Sequence, residues 1–565
     1  MNEKIVERHQ RWLDTISDPE LQAGLQEISK DDEVKSDAFY RYLSFGTSGM
    51  RGVIGAGTNR MNIYTVGRAA QGQANYYLKN APDDQKEISV VISYDSRINS
   101  QLFAEYSASI FAGNGLKVYI FKELTPVPTL SFAVRELKAD SGVMITASHN
   151  PAKYNGYKVY MADGCQANTE VSEGIAEEFE PLNLFEDIKI MDFNEGIQSG
   201  QISYVADEIL DKYIEHIMNE SYVDANTDID KDVKIIYSPL NGTGLVPVTR
   251  ALECMGYDNI TLVEEQTHPD GNFPTCRYPN PEVKETMALG VEYAKREDAD
   301  LFMATDPDAD RVGIAVKDAS GEFQLLSANI TGALILDYIC HRLTAMNKMP
   351  DNPVYVKTIV TTSLGENIAT ANGLETINVL TGFKYIGKQI GVLEDEGRID
   401  DFIFGHEESY GYLTGTYVRD KDAVSAAVLI AEMFAYYKTR GISLFDRLDE
   451  IYDEYGYVLD TLESYTFEGR SGAEKMQVIM HNVRQPVESF AGIPVTEIID
   501  YSEGIGDLPK SDVIEFDLGD NGHVIVRPSG TEPKIKIYLS LRTDRDKAEE
   551  LEEAIRAAVL ELAGI

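Results

Sequence analysis

The sequence predicts an α/β protein that ends in a smaller α+β region. Three observations carry this reading. Strand-like and helix-like segments alternate in three successive rounds, the pattern of layered sheets that are mainly parallel. Each round closes on an apolar strand followed by an unusual polar loop. Past residue 440 or so the alternation gives way to helices and β-rich runs of a different order.

The elements follow in chain order. Residues 1–40 are polar with a helical period and predict a leading arm. The short β-branched run 88–94 predicts a strand, 100–112 a helix and 117–121 a strand. A helix over 128–137 starts near a proline, and 141–145 is the next strand. The second round has strands at 233–237, 260–263 and 300–304, with a helix after the turn Asn241-Gly242-Thr243-Gly244 and another near 282–295. The third has strands at 354–360, 377–380 and 401–404. The tail has helices near 471–483 and 544–562 and strands near 523–526 and 534–539. In open α/β sheets ligands bind beyond the carboxyl ends of strands. Loops 146–151, 306–311 and 406–411 can therefore face one cleft.

Composition narrows the function. Among 565 residues there are 51 Lys plus Arg and 93 Asp plus Glu, a net charge of −42. Such a field repels nucleic acid and anionic membrane, so neither is an expected partner. An anionic substrate needs a local basic pocket. Cys165, Cys254, Cys276 and Cys340 form no CxxC pair and are too sparse for a disulfide framework. The start, Met1-Asn2-Glu3-Lys4, opens no secretory signal, and the most apolar stretch, 423–430, is too short to span a bilayer. The expectation is a soluble cytoplasmic protein.

Four loops carry candidate chemistry. Asp306, Asp308 and Asp310 alternate just after a strand, and three such carboxylates repel one another unless a cation neutralises them. Mg²⁺ suits oxygen ligands. Arg311 and Lys317 stand where a calcium-binding EF-hand loop needs Gly and Glu, which rejects that motif. A solvated acidic turn is the alternative. Arg311 adds a cation suited to phosphate. Ser148, flanked by His149, Asn150 and Pro151, is a nucleophile or carrier candidate, and a plain structural turn is its alternative. His149, as the immediate neighbour, is poorly placed for a hydrolase triad in an extended loop, and no G-x-S-x-G occurs. Arg527-Pro528-Ser529-Gly530-Thr531-Glu532-Pro533 combines a guanidinium, two hydroxyls and a glycine, the makings of a phosphate nest or an ordinary surface loop. Glu407 and Ser409 can hydrogen-bond sugar hydroxyls or simply face solvent. The glycine-rich run 45–52 lacks the Lys-Ser/Thr ending of a P-loop.

Taken together and in this order, the runs 146–151, 306–311, 407–411 and 527–533 resemble the α-D-phosphohexomutase superfamily over nearly all of the chain beyond the arm. The run 45–62 is most similar to the phosphoglucomutase branch that includes phosphopentomutase-like members. The resemblance implies three similar α/β domains with mixed sheets plus a C-terminal α+β domain, set around a central cleft. The expected parts are an arm at 1–40, a phosphoserine domain at 41–205, a metal domain at 206–325, a sugar-binding domain at 326–440 and a phosphate-binding domain at 441–565. Ser148 is then the phosphoserine, and Asp306, Asp308 and Asp310 hold Mg²⁺ together with an oxygen of its phosphate. Arg51, His149 and Lys158 surround the reacting phosphate, with Lys158 as acid or base. Arg311 stands beside the phosphoserine, Lys384, Glu407 and Ser409 contact the sugar, and Arg527, Ser529, Gly530 and Thr531 bind the phosphate that is not transferred.

The implied reaction interconverts glucose 1-phosphate and glucose 6-phosphate, with glucose 1,6-bisphosphate as intermediate and activator. The loop His406-Glu407-Glu408-Ser409-Tyr410-Gly411 has Tyr-Gly after the serine where the mannose-accepting branch has Gly-His, which favours glucose. A phosphopentomutase, a phosphomannomutase, a catalytically silent sugar-phosphate binder and a metal-dependent phosphatase remain alternatives. The expected partners are small sugar phosphates, and no motif speaks to oligomeric state.

Overall fold

The computed structural model describes residues 3–46, 49–82, 87–467, 469–506, 508–529 and 534–565. They form two compact units: Met1–Leu326 with Gly387–Ile399 and Ser409–Tyr436, and Ser327–Ile386 with Asp400–Glu408 and Tyr437–Ile565.

The first unit begins with the expected arm, now three short helices, Glu3–Thr15, Pro19–Ile28 and Asp32–Phe39. Asp18 and Asp31 cap the second and third by accepting backbone N–H bonds. The arm closes over Trp12, which is 1% exposed and packs edge-on against Phe39, Tyr64 and Phe185.

Next comes a six-stranded sheet. Its spatial order is Gly49–Val53, Tyr154–Met161, Ser141–Ile145, Ser89–Tyr94, Lys117–Ile120, Ile202–Tyr204. The last four run parallel, as alternation with helices predicts. The first two are antiparallel additions that periodicity alone does not single out. Ser141–Ile145 is buried along its whole length, as a strand covered on both faces must be.

The second sheet repeats the plan with five strands, in the order Phe323–Leu326, Val312–Lys317, Leu301–Thr305, Ile235–Ser238, Ile260–Leu262. Three are parallel and the Val312–Lys317 and Phe323–Leu326 strands are antiparallel. In both sheets, therefore, a buried parallel strand ends, a polar loop follows, and the chain returns antiparallel beside it. That reversal brings the residues on either side of the loop back to one edge.

The second unit contains three parallel strands, with Val354–Thr358 between Glu375–Val379 and Phe402–Glu407. It also holds a five-stranded antiparallel sheet in the order Val458–Thr466, Lys534–Arg542, Gly522–Pro528, Ile514–Asp517, Glu497–Asp500. The helices Gly469–Val483 and Ala548–Ala563 cover this sheet through one apolar core. The C-terminal α+β region is as expected, but three of its five strands escape the sequence pattern. Among the described residues no helix is long and apolar enough to cross a membrane.

Gly156 sits where the first sheet has no room. A Cβ there would lie 2.4 Å from Thr146 O and 2.9 Å from Met50 O. Gly156→Val is expected to cost about 1–3 kcal/mol through overpacking, read as a lower urea midpoint.

Candidate active site

Two of the polar loops meet inside the first unit. The first, which follows Leu301–Thr305, turns its carboxylates inward. Asp306 Oδ1 accepts from the backbone N–H groups of Asp310 (3.1 Å) and Arg311 (3.0 Å), and Ala309 takes a left-handed φ of 48°. The loop is pinned from outside by three separate segments. Val127 N donates to Asp308 O, Thr243 N to Pro307 O, and Ala423 N to Ala309 O. Here the Asn241–Gly244 turn finds its reason, since a Cβ on Gly242 would meet Pro307 Cα at 2.3 Å.

The result is a cluster of three buried carboxylates. Asp306, Asp308 and Asp310 are at most 2% exposed, and one oxygen of each lies within 4.8 Å of the others. Burial and its two neighbours push the Asp306 carboxyl well above its usual range. Burial opposes ionisation of Asp308 too, but Lys158 overcomes it and holds that carboxyl below its usual range. Lys158 Nζ lies 2.8 Å from Asp308 Oδ2 and 3.7 Å from Asp310 Oδ2. Lys421 Nζ adds a second ammonium 3.1 Å from Asp310 Oδ2.

Asp308 Oδ1 and Asp310 Oδ1 are buried with no hydrogen-bond donor. Buried carboxylate oxygens left bare are costly, and a hard divalent cation is the ligand that removes the cost. The donor set of three carboxylates therefore fits a metal ion.

The serine loop faces this cluster. Ser148 is 4% exposed, and its Oγ donates to Asp306 Oδ2 at 3.0 Å. The backbone turns left-handed at Ser148, with φ 51°. The loop is thus not extended, and the turn lets His149 Nδ1 approach Ser148 Oγ to 3.2 Å, closer than an extended loop allows. Burial, followed by the charges of Arg311 and Arg51, drives the His149 pKa well below its ordinary value, so the ring is neutral. Arg51 Nη1 donates to Asn150 Oδ1 at 3.1 Å, and Arg311 carries its guanidinium 3.9 Å from Asp310. Ser148, His149, Arg51, Lys158, Arg311 and the three aspartates are thus brought together.

Four residues absent from the sequence reading complete the centre. Asp95 accepts from Thr146 Oγ1 at 2.6 Å, and Thr146 Oγ1 accepts from Ser148 N at 2.8 Å. Arg97, fully buried and 3.2 Å from Asp95, fans its guanidinium onto the carbonyls of Ser148, Asn150, Pro151 and Tyr154. Lys421 and Asp420 complete the four, Thr146 being part of the serine loop already singled out; Asp420 accepts from Tyr160 Oη at 2.9 Å. No local signal in Asp95-Ser96-Arg97 or Arg419-Asp420-Lys421-Asp422 marks Arg97 or Lys421 as part of the centre.

The remaining candidates, apart from Ser409, lie in the second unit. Glu407 is 4% exposed at the end of its strand. Glu408 accepts from Thr358 Oγ1 at 3.2 Å, and its carboxyl is raised by burial and by Glu407, with Arg527 opposing. Arg527 Nη2 donates to Tyr538 Oη at 3.0 Å. Lys384 is partly buried, which lowers its pKa, and lies 5.3 Å from the Tyr385 ring centre. Ser529 N donates to Lys534 O at the end of its strand. Ser409 starts a segment of the first unit. Gly530 and Thr531 lie outside the described residues.

Arg97→Met leaves Asp95 charged and buried without its partner, and is expected to cost about 3–5 kcal/mol. Thermal denaturation of the variant checks this.

Comparison with known proteins gives one answer. Residues 42–184, 211–321 and 327–455 match α/β/α domains I, II and III of phosphoglucomutase/phosphomannomutase, and 467–558 match the C-terminal domain. The phosphoglucomutase of Staphylococcus saprophyticus is 36% identical over 549 residues, covering 94% of this chain and 96% of that one. That of Staphylococcus aureus strain MRSA252 is 37% identical over 548 residues, covering 94% and 95%. Among solved structures, a phosphoglucomutase/phosphomannomutase family protein from Burkholderia thailandensis superposes with a TM-score of 0.67 at 18% identity, over 92% of this chain and 97% of that one. The open form of parafusin, a Paramecium phosphoglucomutase, gives 0.67 at 18% identity, over 93% and 95%. Those two likenesses speak to the fold, and the domain matches and the staphylococcal relatives to descent: the chain belongs to the phosphoglucomutase/phosphomannomutase family.

Proposed function

We propose that this chain is a phosphoglucomutase, a cytoplasmic enzyme that interconverts glucose 1-phosphate and glucose 6-phosphate through a phosphorylated Ser148. One observation carries the reading. Ser148 Oγ is hydrogen-bonded into a trio of buried carboxylates, two of which keep oxygens free of any donor. The names of the staphylococcal relatives support the choice of sugar. The four cysteines are all free, in keeping with a reducing compartment.

The parts act as follows. Asp306, Asp308 and Asp310 would hold Mg²⁺. When bound, Mg²⁺ offsets charge on the phosphoryl group carried by Ser148. A sugar hydroxyl attacks that phosphorus; its bond to Ser148 Oγ breaks and a bond to the sugar oxygen forms. The product is glucose 1,6-bisphosphate, which turns over and returns its other phosphoryl group to Ser148. Neutral His149 holds a hydrogen bond at Ser148 Oγ, and Arg51 and Arg311 supply positive charge around the transferring group. Lys158 exchanges the proton of the sugar hydroxyl. Glu407 and Ser409 grip the ring hydroxyls with Lys384. Arg527 and Ser529, with Gly530 and Thr531, hold the phosphate that is not being moved. Division into a phosphoserine, a metal, a sugar and a phosphate domain at 41–205, 206–325, 326–440 and 441–565 belongs to the same proposal.

Three tests follow. Ser148→Ala is expected to lower turnover by at least about 10³-fold, the order of loss when a group essential to transfer is removed, while the fold is kept. A coupled assay for glucose 6-phosphate, primed with a trace of glucose 1,6-bisphosphate, checks this. Ribose 1-phosphate and mannose 1-phosphate run in parallel; faster turnover of either would replace glucose as the substrate. Chelation with EDTA is expected to abolish activity and added Mg²⁺ to restore it, and Asp308→Asn is expected to lose both activity and metal response.

A further inference from the structure

A cationic cavity lies under the N-terminal arm. It holds about 170 Å³ and is lined by Arg8, Arg11, Trp12, Tyr42, Asn183 and Phe185, among others. No Asp or Glu lines it, although 93 of the 565 residues are acidic. None of its lining residues belongs to the serine, metal or sugar loops.

The cations there are under-used. Arg8 donates one N–H to Phe39 O at 2.8 Å and lies 4.9 Å over the Tyr42 ring, and among the described residues it has no carboxylate partner. Arg68, which does not line the cavity, also lies 4.9 Å over Tyr42; it is held by Glu180 O and by the Phe179 ring, 4.2 Å away. Arg11 reaches Asn183 Oδ1 at 3.1 Å and Glu186 Oε1 at 2.9 Å, but the arginine and glutamate side chains are 49% and 70% exposed. A pair so wet is worth little and can be exchanged for another anion.

Arm packing explains the stacking of Arg68 on Tyr42. It does not explain a cavity lined by two guanidiniums and no carboxylate. Guanidinium groups match the oxygens of a phosphate group, and Leu182 and Leu184, which also line the cavity, suit an apolar body attached to it. We propose that this cavity is a binding site for a small phosphate monoester, separate from the Ser148 centre. Thr58, which also lines it, ties the site to the chain leading into Gly49–Val53: Leu43 N donates to Thr58 O at 2.7 Å.

The chain carries its own reporter, because Trp12 is its single tryptophan. Inorganic phosphate and glycerol 2-phosphate would be titrated into the full chain at constant ionic strength while Trp12 emission is followed. The expected result is a saturable change with both, the monoester having the lower midpoint. In the double variant Arg8→Gln, Arg11→Gln the midpoint is expected to rise at least tenfold, with mutase turnover unchanged. If that variant fails to fold, the single variant Arg11→Gln, at a half-exposed side chain, serves in its place with the same direction of change. Absence of a saturable change in the wild-type protein, or an unaltered midpoint in the folded variant, would overturn the proposal.

Discussion

Three carboxylates held within 4.8 Å of one another and buried set the terms for the first unit. Like charges this close in a poorly solvated place cannot all ionise without cations beside them. The chain supplies two ammoniums from distant positions, Lys158 on the strand after the serine loop and Lys421 at a turn over a hundred residues beyond the cluster. Both converge on Asp310, so the alignment of the parallel core, the antiparallel return strands and the 420-region turn all depend on neutralising one loop.

The serine loop meets a related constraint. A turn buried against other protein leaves backbone carbonyls without strand partners, and each must be paired. Arg97 answers for four of them with one planar guanidinium, and Asp95 fixes that guanidinium in turn. This is why Ser148 can keep a left-handed backbone, and why its Oγ points at Asp306 instead of solvent. The serine is held from behind by a positive charge and from in front by a negative one.

Much of this was legible in the sequence, for a physical reason. Apolar runs buried on both faces, such as 141–145 and 301–305, announce themselves, and the polar loops after them stand out by contrast. Strands with one wetter face do not. Val458–Thr466 reads Val-Leu-Asp-Thr-Leu-Glu-Ser-Tyr-Thr, and its burial alternates too weakly to separate it from a loop. The return strand Tyr154–Met161 does not stand out in the sequence, because its identity depends on pairing with two other strands. Within the site, residues in local motifs were found and those that arrive through tertiary contact were not. Nothing local distinguishes Arg97 or Lys421 from a surface cation; only the fold puts them against Asp95 and Asp310.

The division of labour between the two kinds of cation follows from their shapes. Lysine is a compact charge on a flexible stem, and Lys158 stands as a point charge between two carboxylates, 2.8 Å from Asp308 and 3.7 Å from Asp310. Arginine is a rigid fork, and it stands where several fixed oxygens must be held together, as Arg97 does behind Ser148. Arg527 is such a fork too: it donates to Tyr538 Oη and stands beside the carboxyls of Glu407 and Glu408. The lining of the arm cavity, with two guanidiniums and no carboxylate in a chain of net charge −42, is the setting on which the proposed anion site rests.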